Sequence, residues 1–498
     1  MGHKKELKKI YIKLFKNQTS KREGNDIPYK LLHKKRSNAS FFFGAKVLAY
    51  PKLKRSFDGG RYKQKYISGD KSFFIGKSRD EDGHILVVGG AGSGKSSCIV
   101  MPTLETWGGA IFAIDIKGEL VARWNDLKKS DKNRPVKIFN LTNIESANDG
   151  IYASYDPFQF LNLNGEDNLA QNAKEIAQSI IPLSPDIREP FWIQSAQNVL
   201  TGALLYGYGL GASFNETLTR ILTAPIWELI EEISESDNTI AKLHISQFSN
   251  IDKPSENRML TGISAELNSK ILTFTTSLRV KDLFADTGNH SSWEDLETHN
   301  IFMTIAEDKL GQWDGAISMM LTQLIRTLER RPDKHSPEGK DNTPILLLLD
   351  EFPRLGKVDI IQNAVSTLRS KGVTICIVIQ SLAQLDRVYG KESRQIILDN
   401  CQYKAILNVS DPESQRLFSD MIGSIIVRRG GVSINAIEGD EDDGIGDFRV
   451  NYNEAREPLM FPHKLATLKD IVLITSEGFC RVDKIPYFLP TKANSEKL

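Results

Sequence analysis

The stretch from Gly89 to Ser97 combines small residues, one lysine and several serines in a spacing that could bind phosphate groups. Four residues separate Gly89 from Gly94, and Lys95 and Ser96 follow directly, which is the P-loop pattern. Glycines let successive backbone N–H groups turn inward around phosphates, while Lys95 can reach the β- and γ-phosphates and the Ser96 hydroxyl can bind Mg²⁺. A plain Gly-rich turn between a strand and a helix is the alternative. The predicted nucleotide-binding residues are Gly89, Gly90, Ala91, Gly92, Ser93, Gly94, Lys95, Ser96 and Ser97.

A pair of carboxylates at Asp350 and Glu351 supplies the second part of this chemistry. The pair follows the apolar run Ile345–Leu349, which reads as a central strand that delivers both acids to its carboxyl end. Asp350 would bind Mg²⁺, and Glu351 would orient and deprotonate the attacking water. Apolar strands often end in an aspartate, so this motif is weak alone. Together with the P-loop it predicts hydrolysis of a nucleoside triphosphate.

Gln380 and Arg369 flank the next apolar run, Val373–Ile379, and are further catalytic candidates. A glutamine at the end of that strand could sense the γ-phosphate, or it could make an ordinary hydrogen bond within the loop. Arg369, like Arg354, could serve a neighbouring subunit as an arginine finger. A surface salt bridge is the commoner fate of such arginines.

The charged stretch from Asp115 to Glu119 follows another apolar run, Ala110–Asp115. Ligands of open parallel sheets lie beyond the carboxyl ends of the strands. These charges are therefore predicted to face the nucleotide pocket, although a plain exposed turn would look similar.

The apolar runs favour an α/β fold with a mostly parallel sheet. Each run is short and continuously apolar, as buried parallel strands are, and a helix or loop follows it. Residues 160–295 contain no convincing strand and instead show helical spacing in 165–181, 189–208, 217–234 and 255–277. An all-α domain is therefore predicted to be inserted into the α/β domain. The predicted division is a basic N-terminal arm (1–66), a nucleotide-binding domain (67–160 and 296–498) and the inserted domain (161–295).

Charge is distributed unevenly along the 498 residues, although the net charge is +1. Residues 1–66 hold 19 Lys and Arg against four acidic residues, so a basic arm precedes a mildly acidic body. Leu7, Ile10, Tyr11 and Leu14 would form an apolar stripe on a lysine-rich helix. Such a helix could lie on an anionic membrane surface or dock on a partner, whereas a basic, partly flexible tail is the alternative.

The lack of a recognisable signal peptide and the cysteine spacing lead us to expect a cytoplasmic protein. The N-terminus does not resemble a signal peptide, and the four cysteines do not pair at metal-ligand spacing. No window approaches 18 consecutive apolar residues, so no transmembrane helix is expected.

The motifs taken together resemble the TraG/TraD-type coupling proteins of type IV secretion and conjugation, which are FtsK/HerA-like P-loop motors. The resemblance covers roughly residues 84–490 and rests on their combination. Besides the P-loop, the motifs are Asp115-x-Lys117-Gly118-Glu119, Tyr155-Asp156-Pro157, Leu349-Asp350-Glu351-Phe352-Pro353, Ser366-Thr367-x-Arg369-x-x-Gly372 and Gln380-Ser381-x-x-Gln384-Leu385.

This resemblance implies a RecA-like motor domain with an inserted all-α domain, assembled as a homohexameric ring. It implies use of ATP and Mg²⁺ to pass relaxase-bound single-stranded DNA, or a protein substrate, to a secretion channel. The implied partners are the relaxosome and the channel's ATPases and inner-membrane components.

One departure from the family concerns the membrane. Members usually begin with transmembrane helices, and here the basic arm stands in that position. We therefore expect a cytoplasmic protein that lies peripherally on the inner face of the membrane, attached by the arm or by a separate small membrane-anchor protein. Two alternatives remain: a related cytoplasmic DNA translocase or other secretion ATPase, and a non-hydrolysing, nucleotide-dependent relaxosome adaptor.

Overall fold

The computed structural model describes most of the chain after residue 82. The described residues are 83–127, 134–142, 151–163, 165–183, 189–251, 257–285, 290–339, 342–434, 448–475, 478–482, 484 and 486–488, together with short strands before residue 83. The predicted amphipathic helix of the basic arm lies outside the described residues.

Ten of the described strands form one sheet in the order β3-β17-β16-β13-β7-β12-β11-β8-β10-β9, and β14 and β15 pair antiparallel in a second sheet, with β1 beside β14. In chain order the strands are β1 (Lys21–Arg22), β2 (Ser40–Gly44), β3 (Val47–Ala49), β4 (Phe57–Asp58), β5 (Arg61–Tyr62), β6 (Phe73–Gly76), β7 (Ile85–Gly89), β8 (Ala110–Asp115), β9 (Val136–Leu141), β10 (Asn300–Ile305), β11 (Ile345–Leu349), β12 (Val373–Ile379), β13 (Tyr403–Asn408), β14 (Ser424–Ile434), β15 (Phe448–Pro458), β16 (Ile471–Thr475) and β17 (Gly478–Val482).

The strands from β13 to β9 pair in parallel, and β16, β17 and β3 extend the sheet by antiparallel pairs. Strands of a parallel sheet are covered on both faces and therefore read as continuous apolar runs. Strands β7, β8, β11 and β12 are buried along their whole length. The predicted parallel-dominated α/β architecture is confirmed.

The register brings the ends of β7, β11 and β12 to one edge of the sheet. Ile379 of β12 lies opposite Val88 of β7, and Ile377 lies opposite Leu349 of β11. Because the strands are parallel, the residues that follow them emerge at the same edge. This register is what brings chain segments far apart in sequence to one site.

The helices fill the connections between the strands, and those between β9 and β10 form the inserted all-α part. In chain order they are α1 (Met101–Thr106), which a π-helical turn (Ser96–Val100) precedes, α2 (Glu119–Leu127), α3 (Leu169–Ile180), α4 (Phe191–Gly209), α5 (Phe214–Thr223), α6 (Ile226–Glu235), α7 (Thr239–Ile245), α8 (Arg258–Thr276), α9 (Leu278–Leu283), α10 (Asp314–Glu329), α11 (Ile361–Thr367), α12 (Leu382–Asn400) and α13 (Pro412–Ile422).

The helical spacing predicted over 217–234 corresponds to two helices, α5 and α6, rather than one. Pro225 lies between them and Ala224 is extended, with φ −93° and ψ 147°. A proline disfavours helical geometry in the residue before it. The break at Ala224 follows from that restriction.

The core forms two layers, one on each face of the sheet. Leu86 and Val88 belong to the layer that also contains the inserted helices, whereas Ile85 and Val87 belong to the layer that contains the helix after the P-loop. Successive side chains of a strand point to opposite faces, so β7 contributes to both layers. Within the described part of the chain, no helix is long and apolar enough to cross a membrane.

Candidate active site

The loop after β7 is shaped by glycines at positions that disfavour a side chain. Gly92 and Gly94 have φ values of 68° and 93°, in the left-handed region that glycine adopts readily. At Gly89 an added Cβ would lie 2.5 Å from the Ser93 Oγ. The loop glycines therefore permit a backbone path that bulkier residues would distort.

Lys95 is folded back onto the loop that precedes it. Its Nζ donates hydrogen bonds to the carbonyl oxygens of Gly89 at 2.6 Å and Gly90 at 3.1 Å, and the residue is buried. Burial lowers the pKa of Lys95, whereas the nearby carboxylates of Asp350 and Glu351 act in the opposite direction. The ammonium group is thus held inside the loop beside two acids.

Ser96 and Asp350 meet although 253 residues lie between them in the sequence. The Ser96 hydroxyl donates a hydrogen bond to the Asp350 Oδ2 at 3.4 Å. Burial raises the pKa of Asp350 to about 6, with a further contribution from the adjacent Glu351 carboxylate. A bound divalent cation would relieve this unfavourable burial of negative charge.

Glu351 has a left-handed backbone and a carboxylate held by two cations. Among the described residues it is the non-glycine residue with positive φ, at 51°, a conformation that is uncommon and often found at functional sites. Its Oε1 accepts from the Lys117 Nζ at 2.9 Å and its Oε2 from an Arg354 Nη1 at 3.0 Å. Burial opposes ionisation, but Lys117 and Arg354 prevail and hold the pKa of Glu351 below its usual value.

The charged turn after β8 divides into a structural and a site-facing part. The Asp115 Oδ2 accepts from the Val121 backbone N–H at 2.9 Å, in the first turn of α2, and so stabilises the start of that helix. Lys117 and Glu119 line the same cavity as Lys95, as the sequence predicts for this turn.

A cavity of about 610 Å³ lies at this edge of the sheet, within the range of roughly 300–1,000 Å³ typical of ligand pockets. Loop residues from Ala91 to Ser97 form one wall, and Glu351 and Gln380 contribute another. The remaining lining residues are Met101, Lys117, Glu119, Ala122, Arg123, Tyr487 and Phe488. Lys95, Ser96, Glu351 and Gln380 therefore share one cavity, and Asp350 touches it through Ser96.

Gln380 and Arg369 lie at opposite ends of β12. Gln380 follows the strand and lines the cavity, and its backbone N–H donates to the Gln384 Oε1 at 3.2 Å. Arg369 precedes the strand, is exposed and does not line the cavity. Arg369 thus does not reach the cavity of its own chain, and its catalytic role stays a prediction about a neighbouring subunit. Arg354, the other candidate finger, is instead paired with Glu351 and with Glu307.

The residues present fit a magnesium-bound polyphosphate. The Ser93 hydroxyl is buried and has no hydrogen-bond partner among the described residues, so it is available to a ligand in the loop. A serine hydroxyl and one aspartate are the small protein contribution expected for Mg²⁺, which usually keeps waters and phosphate oxygens as its other ligands. The loop N–H groups and the Lys95 ammonium group can bind negative phosphate oxygens, Asp350 can hold the metal ion and Glu351 can activate a water.

Several residues of the cavity gave no signal in the sequence. Arg123, Tyr487 and Phe488 belong to no motif, and Tyr487 reaches the loop from close to the end of the sequence. The Lys117–Glu351 ion pair likewise joins two motifs whose contact depends on the strand order. A basic residue after β8 was a usable hint for that pair, because β8 is the neighbour of β11.

Comparison with known sequences places these features in one family. The family described as type IV secretory system conjugative DNA transfer matches residues 49–497. Protein VirD4 of Rhizobium rhizogenes is 23% identical over 416 residues, covering 82% of this chain and 59% of the relative. Conjugal transfer protein TraG of Escherichia coli is 21% identical over 421 residues, covering 78% and 64%. The chain thus spans less than two thirds of the length of either relative.

Solved structures of the plasmid coupling protein TrwB share the fold. The complex with the non-hydrolysable ATP analogue ADPNP matches with a TM-score of 0.65 and 18% identity, covering 95% of this chain and 97% of that one. The complex with ADP and Mg²⁺ matches with a TM-score of 0.63 and 20% identity, covering 93% and 98%. At this identity the similarity establishes the fold, a RecA-like P-loop domain with an inserted all-α domain.

Proposed function

Since the chain belongs to the type IV secretory system conjugative DNA transfer family, we propose that it is an ATP-hydrolysing coupling protein that passes DNA to a secretion channel. The observation that carries the proposal is the convergence of Lys95, Ser96 and Glu351 on one cavity of about 610 Å³, with Asp350 hydrogen-bonded to Ser96. The similarity to VirD4, to the conjugal transfer protein TraG and to the plasmid coupling protein TrwB supports a role in DNA transfer. The TrwB complexes with ADPNP and with ADP and Mg²⁺ support ATP and Mg²⁺ as ligands.

Each residue of the site has a role in this proposal. The loop from Gly89 to Ser97 binds the phosphates through its backbone N–H groups, and the Lys95 ammonium neutralises charge on the transferred phosphoryl group. Ser96 and Asp350 would hold Mg²⁺, which would supply positive charge to the phosphate oxygens. The Glu351 carboxylate orients a water and accepts its proton.

Glu351 can act as a base because it is ionised at neutral pH. Lys117 and Arg354 hold its pKa low, so a proton acceptor is present throughout the physiological range. Each of its oxygens accepts one hydrogen bond in the structure, and a carboxylate oxygen can accept a second, so Glu351 can still bind a water. Gln380, at the end of the neighbouring strand, lies in position to contact the transferred phosphate.

The finer proposal concerns substrate and assembly. Single-stranded DNA bound to a relaxase, or a protein substrate, would be the cargo, and a homohexameric ring working with channel ATPases and inner-membrane components would drive its movement. The basic arm, or a small membrane-anchor protein, would hold the ring on the cytoplasmic face of the membrane. Deletion of residues 1–20 should then release the protein from membrane fractions, and unchanged membrane association would exclude the arm.

Steady-state turnover by the purified full chain tests the central proposal. We expect ATP hydrolysis that single-stranded DNA stimulates, and a stimulation that weakens as salt rises because phosphate contacts release counterions. Glu351→Gln should lower turnover at least 100-fold while ATP still binds. Lys95→Ala, the matched control, should lose binding as well. Turnover that survives in Glu351→Gln would contradict the role of Glu351 as the base. ATP that stays intact under all conditions would contradict an ATPase and favour the non-hydrolysing, nucleotide-dependent adaptor.

A further inference from the structure

Two aromatic side chains stand at the open side of the cavity, and the proposed reaction gives them no role. Tyr487 and Phe488 both line the cavity, and they are 38% and 65% exposed. The two rings are perpendicular, with centroids 5.4 Å apart. Aromatic surface that stays open at the mouth of a polar pocket is a feature of ligand sites.

The aromatic pair is anchored directly to the phosphate loop. The Tyr487 backbone N–H donates a hydrogen bond to the Ser97 carbonyl oxygen at 2.9 Å, and Ser97 is the last residue of that loop. This bond does not involve the tyrosine ring, so it persists when the side chain is replaced. The rings are therefore held at a fixed distance from the groups that would bind the phosphates.

The helices that follow the loop contribute further lining residues beside the rings. The Arg123 guanidinium lies over the Tyr487 ring, 4.7 Å from its centroid, and its Nε is buried without a hydrogen-bond partner among the described residues. Met101 and Ala122 line the cavity beside it. Two aromatic rings, a guanidinium, a thioether and a methyl group thus line the same part of the cavity.

We propose that Tyr487 and Phe488, with Arg123, form the platform that binds the nucleobase of ATP. Aromatic rings and guanidinium planes stack on the face that all bases share, whereas base identity is read by hydrogen bonds to base edges. The platform therefore holds ATP and GTP with similar affinity. The inference rests on the proposed nucleotide function, because it assumes that the phosphates of the same ligand bind to the loop beside the platform.

Calorimetric titration of the full chain separates the platform from the phosphate loop. The ligands are a non-hydrolysable ATP analogue, the matching GTP analogue and inorganic tripolyphosphate, each with Mg²⁺. Tyr487→Ala and Phe488→Ala should each weaken both nucleotides roughly ten-fold and leave tripolyphosphate binding unchanged. Tyr487→Phe should keep wild-type affinity. Phe461→Ala, which removes an exposed ring stacked on His463 elsewhere in the chain, is the matched control and should change none of these values.

Three outcomes would overturn the proposal. Equal weakening of nucleotide and tripolyphosphate by Tyr487→Ala would show that the ring acts through the phosphate loop. Unchanged nucleotide affinity in both alanine variants would remove the platform while leaving ATP binding intact. Weakened affinity for single-stranded DNA with unchanged nucleotide affinity would assign the rings to DNA instead. A wild-type protein that binds none of the three phosphate ligands would refute the proposed function itself.

Discussion

Asp350 is the residue of the site whose negative charge is least favourable, because the carboxyl group is desolvated and lies beside Glu351. A bound cation would stabilise that charge. The pKa of Asp350 is raised to about 6 by burial and by the adjacent Glu351. Glu351 shows the opposite shift because Lys117 and Arg354 pair with it. Two neighbouring carboxylates therefore have separate environments, one suited to holding a metal ion and the other to staying ionised as a base.

The raised pKa of Asp350 predicts how stability changes with pH in the nucleotide-free protein. Between about pH 4 and pH 6 the folded state retains a proton that the unfolded chain has lost. The free energy of unfolding should therefore fall as pH rises through this window, by roughly 3 kcal/mol at most. Urea denaturation across the window measures the fall, and Asp350→Asn should lack that contribution.

Mg²⁺ and nucleotide should stabilise the protein more as pH rises, because the metal competes with the proton for the Asp350 carboxylate. The rise in the thermal midpoint that a magnesium-bound ATP analogue produces should be larger near pH 7 than near pH 5. The same rise at both pH values, or an equal pH dependence in Asp350→Asn, would contradict the assigned role.

Two neighbouring glycines of the loop should respond differently to alanine. A Cβ at Gly89 would lie 2.5 Å from the Ser93 Oγ and 3.1 Å from the Leu407 Cβ, whereas at Gly90 the nearest atom is the Asn408 Oδ1 at 3.9 Å. Gly89→Ala should force the loop to shift and weaken ATP binding about ten-fold or more, since each 1.4 kcal/mol of strain is a factor of ten. Gly90→Ala should bind nearly as wild type. Equal dissociation constants for the two variants would show that the loop adapts freely.

The spacing of the P-loop and the acidic pair could be predicted from sequence because each lies within a few residues of chain. Other contacts of the site could not be predicted in this way. The bond between Tyr487 and Ser97, and the pairing of Lys117 with Glu351, depend on which strands become neighbours. No local pattern in the sequence records that order.

Among the elements, Arg331 ties together the edge of the sheet opposite the site. Its guanidinium pairs with both carboxylate oxygens of Glu297, at 2.6 and 3.1 Å, and donates to the carbonyl oxygens of Thr343 and Lys371 at 2.7 Å each. Arg331 follows α10, and its partners precede β10, β11 and β12 respectively. One buried side chain thus links the starts of three strands of the sheet to the end of a helix.

Removing this guanidinium should destabilise the fold without changing the site. We expect Arg331→Met to lower the free energy of unfolding by about 2–4 kcal/mol, because buried carbonyls lose charged donors. Arg220→Met, which breaks the exposed pair with Glu232, should cost less than about 1 kcal/mol. Denaturant titration measures both, and the ATP dissociation constant should stay constant. Equal losses of stability in Arg331→Met and Arg220→Met would contradict the linking role of Arg331.

The elements predicted best were those with long, regular patterns. The apolar runs of β8, β11 and β12 and the helical spacing of α4 and α8 marked real elements. The break between α5 and α6 was missed because apolar periodicity continues across Pro225. The hairpin of β14 and β15 was also missed, since these strands pair mainly with each other rather than lying in the buried sheet.

For the whole molecule, Arg369 connects the fold of one chain to the proposed ring. It is exposed at the amino end of β12, on the edge away from its own Lys95, so any role in hydrolysis requires the site of another subunit. An arginine finger supplied by a neighbour contributes about 10³–10⁵ to turnover in related chemistry. Arg369→Ala should therefore bind ATP normally and lose at least 100-fold in turnover.

Mixing two inactive variants tests that geometry directly. An Arg369→Ala subunit keeps its loop, and a Lys95→Ala subunit keeps its arginine, so a ring with both contains interfaces at which one subunit completes the other. With random assembly in equal amounts, roughly a quarter of the interfaces should be intact, and turnover should reappear although each variant alone is inactive. As the control, the Lys95→Ala/Arg369→Ala double variant is mixed in equal amounts with either single variant, and this mixture should show no turnover. A mixture that stays inactive while mixed rings form would show that Arg369 acts within its own chain or only in folding.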